Sequence, residues 1–195
     1  MPFPAVIEIE KDGKEKAYDV YTRLAKDRIL FLNGVVEENM ANHIVATLLW
    51  FESQNPKAPI NMYVNSPGGS VVAGMAIYDI MMYIQSPITT IVTGQAASMG
   101  SLLATAGTRR LVTQNSRHMI HQPLGGASGQ ATDVEIQVKE LIRWKTVLTG
   151  IYEKHTKHPY SKLEADMERD NFMTADEAVK YNLADEVVYE RPIDR

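Results

Sequence analysis

Cysteine is absent from the 195-residue sequence, which excludes disulfides and thiolate metal sites and fits a reducing compartment. No apolar run approaches the roughly 18 residues that a membrane span needs. The beginning of the chain also lacks the basic, apolar and small-residue order of a signal peptide. These absences predict a soluble, cytoplasmic protein with no membrane partner.

The chain has little excess of charge of either sign. Its net charge is −4, and acidic and basic residues are mixed along the sequence, which predicts no nucleic-acid partner. Repeats and low-complexity tracts are missing as well, while hydrophobic residues make up 45% of the chain, enough for a buried core. We therefore expect a single domain over residues 1–195.

Short strand-like runs alternate with helical ones from Arg28 onward. RILFLNG precedes ENMANHIVATLLWFESQ, INMYVN precedes SVVAGMAIYDIMMYI, and ITTIVTG precedes SMGSLLATAG. This alternation predicts an α/β fold with largely parallel strands. In the first helical run one stripe, expected to face the sheet, consists of Met40, Ile44, Leu48 and Phe51.

Three helix starts carry the capping-box pattern, in which a serine or threonine precedes a glutamate by three positions. The pairs are Thr132 with Glu135, Ser161 with Glu164, and Thr174 with Glu177.

A long helical pattern covers residues 132–157. At about 1.5 Å per residue this helix would reach roughly 35 to 40 Å, more than one domain of this size can cover. Part of it should protrude and pack on another subunit of a homo-oligomer. The apolar stripe predicted for this contact consists of Val134, Val138, Leu141 and Leu148.

The segment GQAASMGS places Ser98 directly after an apolar strand and at the start of a helix. It lacks the G-x-S-x-G pattern of one hydrolase family, but free N–H groups at a helix start favour a negative charge beside Ser98. The alternative is that these small residues only permit close packing. A serine hydroxyl is a weak nucleophile unless a base removes its proton, so a base is needed to decide.

Five histidines are available as that base. His43 lies within the first helix, while His155 and His158 end the long helix in a polar stretch where solvated side chains are usual. In HMIH, the spacing of His118 and His121 places them on opposite faces of a strand, which also argues against a zinc pair. His121 precedes a loop at the strand end, so we prefer it as the base.

The acid and the oxyanion donors remain open at this level. Four carboxylates compete near the end of the chain: Asp166, Glu168, Asp170 and Asp176. The turn NSPGGS lacks the lysine of a phosphate-binding loop. It is either a plain structural turn or a source of a second N–H, from Gly69, that acts with that of Met99 on one oxyanion.

Four segments together resemble the proteolytic subunit of the Clp ATP-dependent protease: NSPGGSVVAGMAIYD, GQAASMGS, NSRHMIHQP and ERDNFMTADEAVKYNLAD. The resemblance extends from about Ile7 to Val188. It implies a crotonase-like α/β fold of repeated ββα units. Residues 1–16 would form an N-terminal axial segment and residues 132–157 a protruding handle helix between two stacked seven-membered rings.

The resemblance also implies site residues and partners, with no cofactor and no metal. Ser98 would be the nucleophile, His121 the base and Asp170 the acid of a serine endopeptidase. Gly69 and Met99 would form the oxyanion hole through their backbone N–H groups.

Substrates and an ATPase complete what the resemblance implies. Gly125 and Gly126, on a strand after the histidine, would pair with an extended polypeptide. A AAA+ unfoldase ring would dock at a groove that includes Leu49, Tyr63 and Tyr83. Asn61 stands where the family commonly has an aromatic residue in this groove.

Two other functions are compatible with parts of the sequence. A crotonase-like acyl-CoA enzyme uses a similar pair of N–H donors but does not need Ser98, His121 and Asp170 together. A catalytically silent ring subunit would keep the fold without activity. A fluorogenic peptide assay discriminates among the three.

Overall fold

The computed structural model describes residues 5–9 and 13–189. The strands in this part are β1 (Ala5–Ile9), β2 (Glu15–Asp19), β3 (Ile29–Asn33), β4 (Ile60–Ser66), β5 (Ile88–Ala97), β6 (Arg109–Thr113), β7 (Arg117–Ile120), β8 (Asn171–Thr174) and β9 (Glu186–Val188). The helices are α1 (Val20–Lys26), α2 (Glu38–Gln54), α3 (Val71–Tyr83), α4 (Met99–Thr105), α5 (Ala131–Thr156), α6 (Tyr160–Asp166) and α7 (Ala175–Lys180).

The predicted α/β fold with a largely parallel sheet is confirmed. Within the described residues, β3, β4, β5, β6 and β9 lie side by side in that order and pair in parallel. β7 adds to β5 in parallel, and β8 adds to β7 antiparallel. Strands β1 and β2 form a separate antiparallel hairpin before α1.

Strand β5 bends so that its two halves pair with different neighbours. Residues Thr89–Val92 pair with β6, whereas Gln95–Ala97 pair with β7. Between the halves, Gly94 has a φ of +86°, and the register against β4 shifts between Val64 and Ser66. Glycine suits this bend because side chains disfavour a positive φ. The bend gives the last residues of β5 a neighbour of their own, β7.

The core forms where the apolar stripe of α2 faces the sheet, as predicted. Ile44 and Leu48 are fully buried, Phe51 is nearly so, and Met40 packs on the core while partly exposed. Burying one such large apolar side chain contributes about 1.5–3 kcal/mol.

One of the three predicted capping boxes is confirmed, at Thr174 and Glu177. The other two predictions are wrong. Helix α5 begins after Gln130 and α6 begins after Pro159, in both cases without a side-chain cap. Pro159 has a φ of −60°, so a proline ring rather than a hydroxyl sets the chain direction there.

The predicted long helix is present as α5, which has 26 residues, and its bounds differ from the predicted ones by one residue at each end. Its second half is anchored by buried residues, and its first half has large exposed apolar side chains at Ile136, Val138 and Ile142. Leu148 was expected on the exposed stripe, but it is buried against its own chain because the second half of α5 packs on the core.

Two remaining predictions concern membrane spans and the N-terminal segment. Within residues 5–9 and 13–189, no helix combines the length and the apolar character that crossing a membrane requires. Residues 1–4 and 10–12 of the expected axial segment lie outside the described residues.

Candidate active site

Ser98 lies at a one-residue turn from strand to helix. Strand β5 ends at Ala97 and α4 begins at Met99, so Ser98 alone connects them. Its φ of 53° and ψ of −124° are strained for a residue with a side chain, a cost of about 1–3 kcal/mol. The chain therefore makes a sharp serine turn of the kind that hydrolases use to expose a nucleophile, without their usual motif.

Parallel pairing of β5 with β7 brings a histidine to this turn. Ala97 lies opposite Met119, and the Ser98 N–H donates to the Met119 carbonyl at 2.9 Å. β7 ends one residue later, and His121 follows at the same end of the sheet as Ser98. The register of two strands thus places side chains together that are 23 residues apart.

Antiparallel pairing of β7 with β8 brings a carboxylate to His121. Ile120 lies opposite Asn171, and the next pair in this register is His121 with Asp170. Of the four candidate carboxylates, Asp170 is therefore the one that the register places opposite His121.

Hydrogen bonds link the three side chains in a row. His121 Nε2 is 2.9 Å from Ser98 Oγ, and His121 Nδ1 is 2.9 Å from Asp170 Oδ1. The His121 side chain is 11% exposed, whereas that of Asp170 is 58% exposed. In this arrangement the imidazole can accept the serine proton while the carboxylate holds the other ring N–H.

The competing carboxylates have other partners. Asp166 accepts hydrogen bonds from the Tyr181 hydroxyl and the Lys162 ammonium. Glu168 pairs with Arg169 and Lys145. Asp176 accepts a hydrogen bond from the Tyr189 hydroxyl.

The glycine turn after β4 packs directly against the serine turn. Gly68 has a φ of +92°, and a Cβ there would lie 2.7 Å from the Ala97 carbonyl oxygen and from Ser98 Cβ. A Cβ on Gly69 would lie 2.3 Å from the Val36 carbonyl oxygen. Both positions therefore require glycine, because the backbones approach too closely for a side chain.

Val36 and Gly69 form an isolated parallel bridge, and this pairing sets the direction of the Gly69 N–H. The Val36 N–H donates to the Gly68 carbonyl, and the Ser70 N–H donates to the Val36 carbonyl, both at 2.8 Å. In such a parallel bridge, the N–H of the intervening Gly69 points away from Val36. Met99 is the first residue of α4, so its N–H has no acceptor within the helix.

An apolar pocket adjoins Ser98 and His121. Its other lining residues are Val71, Met99, Leu102, Leu148 and Tyr152. Because these side chains come from α3, α4 and α5, the pocket depends on how the three helices pack.

The predicted substrate glycines lie in an exposed, irregular segment. The structure assigns no strand to residues 121–130, all of which are described, so the expected strand has no partner within the chain. Gly125 packs on α5, because a Cβ there would lie 3.0 Å from Leu141 Cδ1. Gly126 has open space around its Cα. Their role in substrate pairing remains a prediction.

The predicted docking residues differ in exposure. Leu49 is 41% exposed and Tyr83 is 77% exposed. Tyr63 is half-buried, and its ring stacks on that of Phe31 at 5.6 Å. Asn61 lies on the same strand, opposite Ile29. Docking at these residues remains a prediction.

The expectation that His155 and His158 are solvated is wrong. His155 Nε2 lies 3.1 Å from the Tyr78 hydroxyl, and burial lowers the pKa of His155 to about 4. His158 Nε2 lies 3.1 Å from the Tyr181 carbonyl oxygen. The polar sequence misled because the second half of α5 packs inward, which only the tertiary structure decides.

Two buried side chains near the serine turn have no local signal in the sequence. His118 is fully buried, with Nδ1 3.0 Å from Ser101 Oγ, and its Nε2 has no hydrogen-bond partner among the described residues. Tyr152 is also buried, and its hydroxyl donates to the Ser98 carbonyl at 3.3 Å. Tyr152 lies 54 residues from Ser98, so sequence reasoning did not find it.

Acid should destabilise the fold through His118. Burial, with a smaller contribution from the positive charge of Arg110, lowers the pKa of His118 from 6.5 to about 4. Between these values the unfolded chain binds a proton that the folded chain does not. The free energy of unfolding should therefore fall as the pH drops from 6.5 towards 4, by up to about 3 kcal/mol from this residue.

Urea unfolding measured from pH 7.5 to 4.5 would test this effect. His118→Asn, which keeps a polar group near the Nδ1 position, should weaken the pH dependence, whereas His43→Asn on the exposed surface of α2 should leave it unchanged. The same pH dependence in His118→Asn and in the unmodified protein would contradict the assignment.

The family model described as Clp protease matches residues 12–191, which is most of the chain.

Proposed function

Because the chain belongs to the Clp protease family, we propose that it is a serine endopeptidase that cleaves unfolded polypeptides with Ser98 as its nucleophile. The observation that carries this proposal is the row of two 2.9 Å hydrogen bonds from Ser98 through His121 to Asp170. Such a row supplies the base that a serine hydroxyl needs, and it holds that base in one orientation.

In the proposed reaction, Ser98 Oγ attacks the carbonyl carbon of the scissile peptide bond while His121 Nε2 accepts its proton. Asp170 holds the Nδ1–H of the ring and stabilises the imidazolium that forms. His121 then gives the proton to the departing amine. Water, activated by the same imidazole, hydrolyses the acyl-enzyme ester and restores Ser98.

The oxyanion of each tetrahedral intermediate would be bound by two backbone N–H groups, those of Gly69 and Met99. The close packing of the glycine turn on the serine turn supports this assignment, and so does the direction of the Gly69 N–H. Loss of one such donor typically lowers kcat by about 10² to 10³.

The segment that follows His121 would bind the substrate backbone. Residues 124–130 are exposed, and the structure assigns them no strand within the chain. Gly125 and Gly126 would pair with the extended backbone of the polypeptide.

Self-association would enclose this site. The exposed apolar side chains on the first half of α5, Ile136, Val138 and Ile142, support contact with a second copy of the chain. We propose the assembly that the resemblance implies, two stacked seven-membered rings in the cytoplasm. A AAA+ unfoldase would dock at Leu49, Tyr63 and Tyr83.

The two alternatives are less well supported. An acyl-CoA enzyme would share the two-donor turn but would have no use for the hydrogen bonds from Ser98 to His121 and Asp170. A silent ring subunit would have no reason to keep the strained conformation of Ser98.

The test of the proposed function compares a short peptide with a folded protein. Particles isolated at the size of the assembly should hydrolyse a fluorogenic peptide without ATP, yet leave a stable folded protein intact, because only an extended chain can enter an enclosed chamber. Adding a cognate AAA+ unfoldase with ATP should start degradation of the folded protein. The matched control is the same mixture with a non-hydrolysable ATP analogue.

Two outcomes would contradict the proposal. Absence of peptide hydrolysis by assembled particles would argue against the endopeptidase. Rapid digestion of the folded protein without ATP would argue against the closed chamber.

A further inference from the structure

The buried half of α5 contacts the proposed catalytic serine through one hydroxyl. Tyr152 is 3% exposed, and its hydroxyl donates to the Ser98 carbonyl at 3.3 Å. The same carbonyl accepts the Leu102 N–H at 3.1 Å, the first hydrogen bond of α4. Tyr152 is therefore a second, side-chain donor to the backbone of the serine turn.

The contacted carbonyl belongs to the peptide group that also holds the N–H of Met99. A peptide group is planar, and in its trans form the C=O and the N–H point in opposite directions. A donor that holds the Ser98 oxygen therefore also fixes the direction of the Met99 N–H. A hydrogen bond to the carbonyl further polarises the group and strengthens the N–H as a donor.

The strain at Ser98 makes such a hold necessary. With φ at 53° and ψ at −124°, the turn persists only where its surroundings over-determine it. On the other side, the Ser98 N–H is held by the Met119 carbonyl at 2.9 Å. Tyr152 and Met119 thus hold the two peptide groups that flank the serine.

We propose that Tyr152 is a positioning residue that orients the Ser98–Met99 peptide group for oxyanion binding. This inference rests on the proposed function, because Met99 is a donor only if the site forms an oxyanion. It makes the activity depend on the seating of α5, the helix whose first half is exposed.

The hydroxyl is suited to act as a permanent donor. Burial raises the pKa of Tyr152 well above its ordinary value, and the nearby Ser101 hydroxyl offsets only part of this rise. The group therefore stays protonated throughout the pH range in which the protein would be assayed. Ser101 Oγ lies 3.0 Å from His118 Nδ1, so further buried polar groups surround the tyrosine.

The test is Tyr152→Phe, which removes the hydroxyl and keeps the ring in the pocket. The matched control is Tyr78→Phe, because Tyr78 is also buried and its hydroxyl also contacts α5, at His155, but it does not contact Ser98. For particles isolated at the size of the assembly, kcat for a fluorogenic peptide should fall about three- to thirty-fold in Tyr152→Phe, with KM nearly unchanged. Tyr78→Phe should keep the kcat of the unmodified protein.

A second measurement separates positioning from damage to the fold. The rate constant for labelling Ser98 with a fluorophosphonate should fall by the same factor in Tyr152→Phe, because this reaction also develops negative charge at the oxyanion site. The final fraction of labelled serine should stay complete. Partial misfolding would instead lower the fraction and leave the rate constant of the folded part unchanged.

Each other outcome has one meaning. Unchanged kcat and labelling rate in Tyr152→Phe, with an active unmodified protein, would overturn this inference alone. Failure of Tyr152→Phe to fold, while Tyr78→Phe folds, would show that the hydroxyl serves stability and would also overturn it. An unmodified protein that neither cleaves peptide nor labels at Ser98 would overturn the proposed function, and this inference with it.

Discussion

Replacing Ser98 with alanine should lower peptide hydrolysis by about 10⁴ to 10⁶ and leave the assembly intact. Ser98 Oγ is the atom that His121 Nε2 contacts at 2.9 Å, and no other group at the turn can form the acyl-enzyme. Alanine removes only this oxygen and meets the same backbone requirement as serine. Fold and subunit contacts should therefore be unaffected.

The measurement is initial-rate hydrolysis of a fluorogenic peptide by particles of verified size. Ser161→Ala is the matched control, because it removes the hydroxyl of an exposed serine on α6. Near-normal turnover by Ser98→Ala would exclude the serine mechanism, whereas loss of activity together with the assembly would leave the nucleophile unassigned.

Asp170→Asn should lower kcat by up to about 10⁴, although the change replaces one oxygen by an NH₂ group. The carboxylate accepts the Nδ1–H of His121 at 2.9 Å, which leaves Nε2 free to accept the serine proton. An asparagine amide turned towards the ring would donate instead, so the ring proton would move to Nε2. The imidazole would then donate to Ser98 and could no longer act as its base.

Glu168→Gln is the matched control for this change. It removes the same charge two positions away, on a side chain that pairs with Arg169 and Lys145 rather than with His121. Its kcat should stay within a few fold of the unmodified value. Equal losses in Asp170→Asn and Glu168→Gln would indicate a general charge effect and would contradict the proposed role of Asp170.

Local patterns accounted for most of the architecture. The 3.6-residue period of α2 predicted which side chains are buried, and the alternation of strands and helices predicted the parallel sheet. These predictions succeeded because the apolar face of a helix is buried regardless of which element packs against it. Helix starts were less predictable, since the chain before α5 and α6 turns without the hydroxyl caps that the pattern favoured.

The candidate site was also only partly predictable from the sequence. Residue chemistry alone proposed Ser98 and preferred His121, and the resemblance added Asp170, but the spacing of carboxylates could not rank Asp170 over Asp166. The ranking depends on strand register, which spacing along the sequence does not reveal. The antiparallel pairing of β7 with β8 places Asp170, and not Asp166, opposite His121.

By itself, the sequence determined the α/β class, the long helix and the residue types for nucleophilic chemistry, because each of these depends on residues that are close together in the chain. Tertiary structure decided three features of the site region. These are the strained turn at Ser98, the burial of His155 and the hydrogen bond from the Tyr152 hydroxyl to the Ser98 carbonyl. These features join segments tens of residues apart through strand register and helix packing. Only the folded chain sets those distances.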